Sequence, residues 1–422
     1  MQKKTRRTFF KKFIEGGAYL SMYPWLGDFQ NVLTDLDQEQ HEERYWVKIR
    51  KQYTLSKKLI NLNNGGVNPQ PKIVQEAVAY YEKLSNKLPS YYMWKVIDKE
   101  KVLVKEALAE LMGCRKEDLA IQRNTTEALE TIIFGMQLKR GDEVVLGKYD
   151  YPHMIFAWKQ RALRDGVVLK WVDLELPSQD PEYLLNQYKK QISTKTKLVC
   201  VTHIINWNGQ VLPVKEIASY AKSQGADVMV DAAHTIGQRP MQVDKLDIDY
   251  LASSLHKWLG GPFGTGVLYV KKGKRKELFP TFAGPNPQSR GMHKFEHLGT
   301  RASSHERAIL PAILFCNRIG IQRKMDRLQF LKMYIVDKLM NLPNVNILSP
   351  IDQVNGSAIL LLNIDGVDNL TLYSKLYENW NIHCSIADVE KLSGIRISPN
   401  VFTQLSELDT FVEAIQSAAK RK

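Results

Sequence analysis

The chain has 422 residues, 44 % hydrophobic and 25 % charged, which is ample for a large core and for two domains. Its formal charge is +14, but no zinc-finger or RNA-binding signature accompanies the lysines, so scattered surface charge is expected and nucleic-acid binding is not. No stretch approaches the roughly 18 to 20 apolar residues that span a membrane, and four widely spaced cysteines with no CxxC pair predict no metal site.

In chain order, the first segment is basic. Lys3, Lys4, Arg6 and Arg7 precede Phe9 and Phe10, and a weakly apolar run follows from Phe13 to Leu26. Paired arginines ahead of such a run resemble a twin-arginine export signal, which carries proteins already folded. Residues 1–27 are therefore expected to be that signal and the protein to reach the periplasm. Glu15 and the lack of a small-residue cleavage site leave a cytoplasmic protein with a basic tail as the alternative. Residues 28 to 60 are charged and helical in pattern, and should pack on the surface of the body. Asn63-Asn64-Gly65-Gly66 reads as a turn. Residues 71 to 113 predict two helices broken at Pro89. Between them, Tyr91, Tyr92 and Trp94 form either core packing or a wall of a substrate pocket.

From residue 119, strands alternate with helices, the pattern of a mostly parallel sheet. Strand Leu119–Gln122 leads into Asn124 and Glu127, a capping-box spacing whose helix start presents bare N–H groups to an anion. Strands are expected at 143–146 and 167–172, with Tyr151 and His153 between them. The apolar run Leu198–His203 reads as a strand buried on both faces and enters a segment holding Asn206. Lys215 to Gln224 is an amphipathic helix. The next strand closes on Asp231, Ala232, Ala233 and His234, and a later one on Ser254, Leu255, His256 and Lys257, before Gly260, Gly261 and Pro262. The basic run from Lys271 to Lys276 reads as an exposed loop. A helix-rich stretch from about 303 to 341 leads to strands at 358–362 and 395–398.

Lys257 and Asp231 carry the chemistry. A lysine forms a Schiff base with an aldehyde only when unprotonated, and burial or a nearby cation favours that state. A strand-end carboxylate can hold a pyridine nitrogen protonated, which makes the ring an electron sink. The pair predicts pyridoxal 5'-phosphate (PLP), and the glycines after Lys257 permit close backbone approach to it. Taken singly, Lys257 reads as a loop lysine and Asp231 as a strand-end cap.

Over roughly residues 60 to 415 these segments resemble the class V aminotransferases, which include cysteine desulfurases, and most of all the isopenicillin N epimerase-like branch. The resemblance implies an α/β protein of PLP-dependent transferase fold type I, with a mostly parallel central sheet in a large domain (79–302). A smaller α+β C-terminal domain (303–422) follows, and an N-terminal segment (28–78) packs on it. It implies that Thr125, Thr126, Ser254 and His256 contact the cofactor phosphate and that Tyr151 stacks on the ring, with His153 a weaker alternative. Asn206 and His234 then lie beside the phenolic oxygen. Thr300 reaches the phosphate of a partner subunit in a homodimer. Arg396 anchors the substrate carboxylate, with Asn64 at the substrate entrance.

The implied reaction acts on an amino acid or a derivative, through an external aldimine and α-proton abstraction, with Lys257, Asp231 and His234 as the catalytic set. Epimerase or lyase chemistry is expected ahead of an aminotransferase. A cysteine desulfurase needs a mobile thiol, and Cys384, the sole candidate by position, reads as a strand residue. The reading of another class is a non-catalytic PLP-fold binding protein, against which Lys257, Asp231 and Arg396 all argue.

Overall fold

The structure is a computed structural model that describes residues 41 to 420, so the export signal expected at residues 1–27 lies outside the described residues. The chain enters through α1 (Glu42–Arg50), which buries Tyr45, Trp46 and Ile49, and continues through the short strand β1 (Ile60–Asn61). Helix α2 (Lys72–Lys87) stops ahead of Pro89, whose ring disfavours the helical conformation in the residue before it. The chain then turns through a π-helical segment, Tyr92–Ile97, directly into α3 (Asp98–Met112). Tyr91, just ahead of that segment, and Trp94, on it, are 51 % and 54 % exposed, so the aromatic cluster is not core.

Seven strands follow, interleaved with helices: β2 (Leu119–Gln122), α4 (Thr125–Gly135), β3 (Glu143–Gly147), α5 (Pro152–Asp165), β4 (Val168–Val172), α6 (Pro181–Lys189), β5 (Thr196–Thr202), α7 (Val214–Ser223), β6 (Asp227–Asp231), β7 (Tyr250–Ser254) and β8 (Gly266–Val270). They form one sheet in the order β2-β8-β7-β6-β5-β3-β4. Every pairing is parallel except those of β8, which runs against both neighbours. Both faces are covered, and the two-residue period of a strand shows which side chain serves which face. Val199, Val201, Val228 and Val230 enter one apolar cluster, while Leu198, Cys200 and Met229 enter the other. This is why the middles of β5 (Leu198–Val201) and β6 (Val228–Val230) are wholly apolar in sequence.

Helices α8 (Ile309–Ile319) and α9 (Ile321–Leu339) carry the chain away from the sheet; α8 packs into the larger cluster, and the second half of α9 into a third. That third cluster lies under a four-stranded antiparallel sheet. In chain order its region holds β9 (Val345–Ile347), β10 (Leu360–Ile364), α10 (Asn369–Trp380), β11 (Ile382–His383), β12 (Ser385–Val389), β13 (Leu392–Ile397) and α11 (Leu405–Ala419), with sheet order β12-β13-β10-β9. Strand β1 pairs in parallel with β11, and Leu62 is buried among the C-terminal residues. The N-terminal segment is thereby stitched onto the C-terminal region through a separate two-stranded sheet. The basic run at 271–276 departs from its reading as an exposed loop, because Arg275 is buried and ion-paired with Asp118. Among the described residues, no helix is long and apolar enough to cross a membrane.

Candidate active site

Parallel strands deliver their C-terminal ends to one edge of a sheet, and ligands of open α/β folds bind there. Strand β6 ends on Asp231, which is 3 % exposed and accepts a hydrogen bond from the Ala233 N–H at 2.9 Å. Strand β7 ends on Ser254, and three residues later Lys257 sets its Nζ 3.2 Å from His234 Nε2. Gly237 makes this meeting sterically allowed. Its φ is +81°, and a Cβ there would stand 2.5 Å from the backbone of Leu259. The loop after Asp231 can therefore lie directly against the loop that carries Lys257.

The electrostatics follow from burial. Desolvation pushes the Lys257 amine down to about 8, with the Arg396 charge helping and Asp231 opposing. A large fraction is then neutral and nucleophilic near pH 8. Burial raises the Asp231 carboxyl, against the Ala233 N–H and the charge of Lys257. Burial also holds His234 well below the ordinary imidazole value, reinforced by Lys257 and Arg396, so the ring is neutral.

At the far side of the lysine loop, α4 opens with Asn124 as its cap, accepting from Glu127 N–H at 2.8 Å. The reciprocal half of the expected capping box is displaced by one residue, because the Glu127 carboxylate accepts from Arg123 N–H instead. Thr125 and Ser254 share a hydroxyl–hydroxyl bond of 2.7 Å. Two hydroxyls joined by one bond keep one O–H to offer an anion. Thr126 is half-buried on the same first turn. Gly266 permits this approach, since a Cβ on it would meet Asn124 Cα at 2.7 Å. His256 places Nδ1 3.1 Å from the Thr265 carbonyl, which leaves Nε2 to face elsewhere.

Arg396, on β13, is held by three neutral oxygens: Ser385 Oγ at 2.9 Å, the Asn206 carbonyl at 3.0 Å and Asn63 Oδ1 at 2.9 Å. Among the described residues, no carboxylate lies within ion-pair reach of it. Asn64, expected at the substrate entrance, is fully buried, and its side chain is committed to Asn61 and the Ser398 carbonyl. Its polar groups fasten two chain segments together; the neighbouring Asn63 is the one that faces Arg396.

Tyr151 is half-buried at the start of α5, its ring 5.4 Å from that of His153, which is exposed. Asn206 is 8 % exposed, and its Oδ1 has no hydrogen-bond partner among the described residues. Thr300 lies exposed on the loop ahead of the helical turn Ser303–Arg307. Several further members were not foreseen from sequence. Asp150 is buried, bonded to Thr202 Oγ1 and Gly147 N–H, and raised to about 7 by burial, with Asp231 adding to the rise. Trp258 donates its indole N–H to His234 Nδ1 at 3.1 Å. Ser385 steadies Arg396. Of these, Trp258 had a signal, being a large apolar residue in a glycine-rich loop.

These residues fit the expected cofactor group by group. The neutral amine of Lys257 suits an aldehyde. The carboxylate of Asp231, buried with a single hydrogen bond, suits a cationic ring N–H donor. The Asn206 side-chain amide is buried with its Oδ1 unpartnered among the described residues, and its NH2 end is the one that suits an ionised phenolic oxygen; the first turn of α4 suits a phosphate. One molecule that carries an aldehyde, a ring nitrogen and a phosphate is PLP, and a protein built to hold it in this sheet order is a PLP-dependent enzyme of fold type I.

The comparisons with known proteins narrow this to a family. A family model, aminotransferase class-V, matches residues 60–411, and the chain belongs to that family. Isopenicillin N epimerase of Streptomyces clavuligerus is 27 % identical over 391 residues, covering 88 % of this chain and 98 % of its own. A cysteine desulfurase of Haloferax volcanii is 26 % identical over 386 residues, covering 85 % and 89 %. Among solved structures, the apo cysteine desulfurase of Thermococcus onnurineus NA1 superposes with a TM-score of 0.79 at 24 % identity, over 88 % of this chain and 97 % of that one. C-DES with glycine covalently linked to its PLP cofactor gives 0.78 at 23 % identity, over 86 % and 98 %.

Proposed function

We propose that the protein binds the α-carboxylate of an amino acid or amino-acid derivative at Arg396 and moves its α-proton with Lys257, in epimerase- or lyase-like chemistry. The observation that carries this reading is the Arg396 guanidinium. It is a half-buried cation held by neutral oxygens, and a bidentate carboxylate supplies the charge it lacks. Arg396 also acts on Lys257 electrostatically, so a carboxylate bound at the guanidinium would lie within charge range of the amine.

PLP, when bound, supplies the electron sink that makes the substrate Cα–H acidic. The residues of the chain do the rest. Asp231 presents a fixed anion to the ring nitrogen. The neutral amine of Lys257 accepts the α-proton; a lyase then expels a leaving group, whereas an epimerase takes its new proton on the opposite face of Cα. His234, 3.2 Å away, holds that amine in place. Arg396 fixes the carboxylate and thereby the face of Cα that Lys257 addresses.

Desulfuration is disfavoured by the thiols. Cys384 is 1 % exposed between β11 and β12, packed in the C-terminal apolar cluster, and burial pushes its thiol up to about 12. A nucleophilic cysteine needs the opposite, an exposed and readily ionised sulfur. Cys200 and Cys316 are buried core residues, and burial raises Cys114 to about 12 as well. Cys384→Ala is expected to leave turnover within about twofold and to cost about 1 to 2 kcal/mol of stability through the lost packing. A loss of turnover in that variant, with sulfur released from cysteine by the parent, would restore the desulfurase reading. The proposed chemistry is checked by incubating the PLP-loaded enzyme with single amino acids in D2O. Deuterium at Cα, with the opposite enantiomer or an eliminated product, is expected for the true substrate class. A full panel with no exchange in any compound would defeat it.

The same reading takes the protein as a homodimer in which Thr300 completes the partner's phosphate site. The exposure of Thr300, together with Tyr91, Trp94 and Phe263 each about half exposed, supports a covered face. Sedimentation of the holoenzyme should give twice the chain mass; a monomer with full activity rules this out.

A further inference from the structure

We infer that Trp258 is a positioning residue that locks His234 in the Nε2–H tautomer, so that His234 presents a hydrogen-bond donor, not a lone pair, to Lys257 and the cofactor. The inference rests on the proposed function only where it invokes the cofactor; the tautomer itself is a property of this chain.

An indole N–H donates and never accepts. Trp258 is fully buried, and its Nε1 lies 3.1 Å from His234 Nδ1. Nδ1 must therefore hold a lone pair, and in a neutral imidazole the proton then sits on Nε2. Nε2 is the atom 3.2 Å from Lys257 Nζ. An ammonium on Lys257 would place N–H against N–H across that contact. A neutral amine instead accepts the Nε2 proton. The contact thus favours the reactive form of the lysine. The other charged or titratable groups acting on Lys257 are Asp231 at the end of β6, His256 on its own loop and Arg396 on β13.

The histidine is braced from the other side as well. Gln238 donates from Nε2 to the His234 carbonyl at 2.7 Å, and its Oε1 accepts from Ala358 N–H at 2.8 Å. The Trp258 carbonyl is itself held by Lys324. The main chains that carry the ring and its partner are held by the fold, and the indole N–H contact then sets the tautomer. Donation from Nε2 suits the phenolic oxygen of the cofactor, which is an acceptor when ionised.

The test uses full-length protein with 15N-labelled histidine. Long-range 1H–15N spectra of the apo form should show His234 with Nε2 protonated and Nδ1 bare, assigned by its disappearance in His234→Gln. Trp258→Phe keeps an aromatic ring in a smaller side chain and removes the N–H. It should populate the Nδ1–H form and, in PLP-loaded protein, shift the visible absorbance band and its pH titration. In a His234→Gln background the same Trp258→Phe change should shift neither, because an amide has a permanent donor end and acceptor end. Nδ1–H in the parent, an unchanged tautomer in Trp258→Phe, or equal spectral shifts in both backgrounds would each overturn the inference. Failure to bind PLP at all would strike the proposed function, and the apo spectra would still decide the tautomer.

Discussion

Lys257→Ala is expected to remove catalysis while leaving the protein folded. Two contributions vanish together, the covalent anchor for the cofactor aldehyde and the base that moves the α-proton. Positioned proton transfer by itself contributes about 10²- to 10⁴-fold, so a loss of about 10⁴-fold or more in kcat is expected for the pair. Stability should hardly fall, because the side chain gives up a desolvated amine whose pKa burial has driven to about 8. The sign of the accompanying pH effect is fixed. The folded pKa lies below lysine's ordinary 10.5, so the unfolded chain binds more protons between the two values. The contribution of this group to native stability therefore rises with pH across that window, and the alanine variant loses that rise. Borohydride reduction followed by peptide mapping supplies the second readout. The parent should yield a phosphopyridoxyl adduct at Lys257 and the variant none. Undiminished turnover in Lys257→Ala, or an adduct at another lysine, would falsify the assignment.

Arg396→Ala should act on substrate and spare the cofactor. A hydrogen bond to a charged group contributes about 1.5 to 3 kcal/mol, and a bidentate carboxylate makes two. The expected loss in kcat/KM is on the order of 10²- to 10⁴-fold, expressed mainly in KM. The visible spectrum of the bound cofactor should be little changed. Arg396→Lys should recover little, at best about tenfold, because an ammonium is a point charge without the planar fork. Lysine would also leave some of Ser385 Oγ, the Asn206 carbonyl and Asn63 Oδ1 without their present donor. If both variants keep the parent's KM, the carboxylate is bound elsewhere.

Much of the frame was legible in one dimension. Strand β5 declares itself through Leu198, Val199, Cys200 and Val201, because a strand covered on both faces has no polar side to show. The start of α4 was readable from Asn124 and Glu127, because a cap acts across three residues. Lys257 and Asp231 were readable because each is set in a local context, a glycine-rich loop and a strand end. The substrate side was less so. Asn63 and Asn64 are chemically identical, and only the docking of this turn against β13 decides which one faces Arg396 and which is spent on Asn61 and Ser398. The aromatic cluster at 91–94 could be read as core or as surface, and the π-helical segment beneath it turned Tyr91 and Trp94 outward.

Sequence by itself therefore pointed to the cofactor and to the amine, carboxylate and guanidinium proposed to serve it, and to a region of alternating strands and helices; the order of the strands came from the structure. Hydrophobic period, helix caps and turn residues act over a few positions, and so they survive in a linear text. Tertiary structure alone decided how those groups are tuned. The depression of the Lys257 amine, the proton placement on His234 through Trp258, and the missing counter-charge of Arg396 each depend on burial and on partners 24 to 333 residues distant in the chain. Desolvation and hydrogen-bond geometry belong to a folded interior, and no local pattern of residues encodes them.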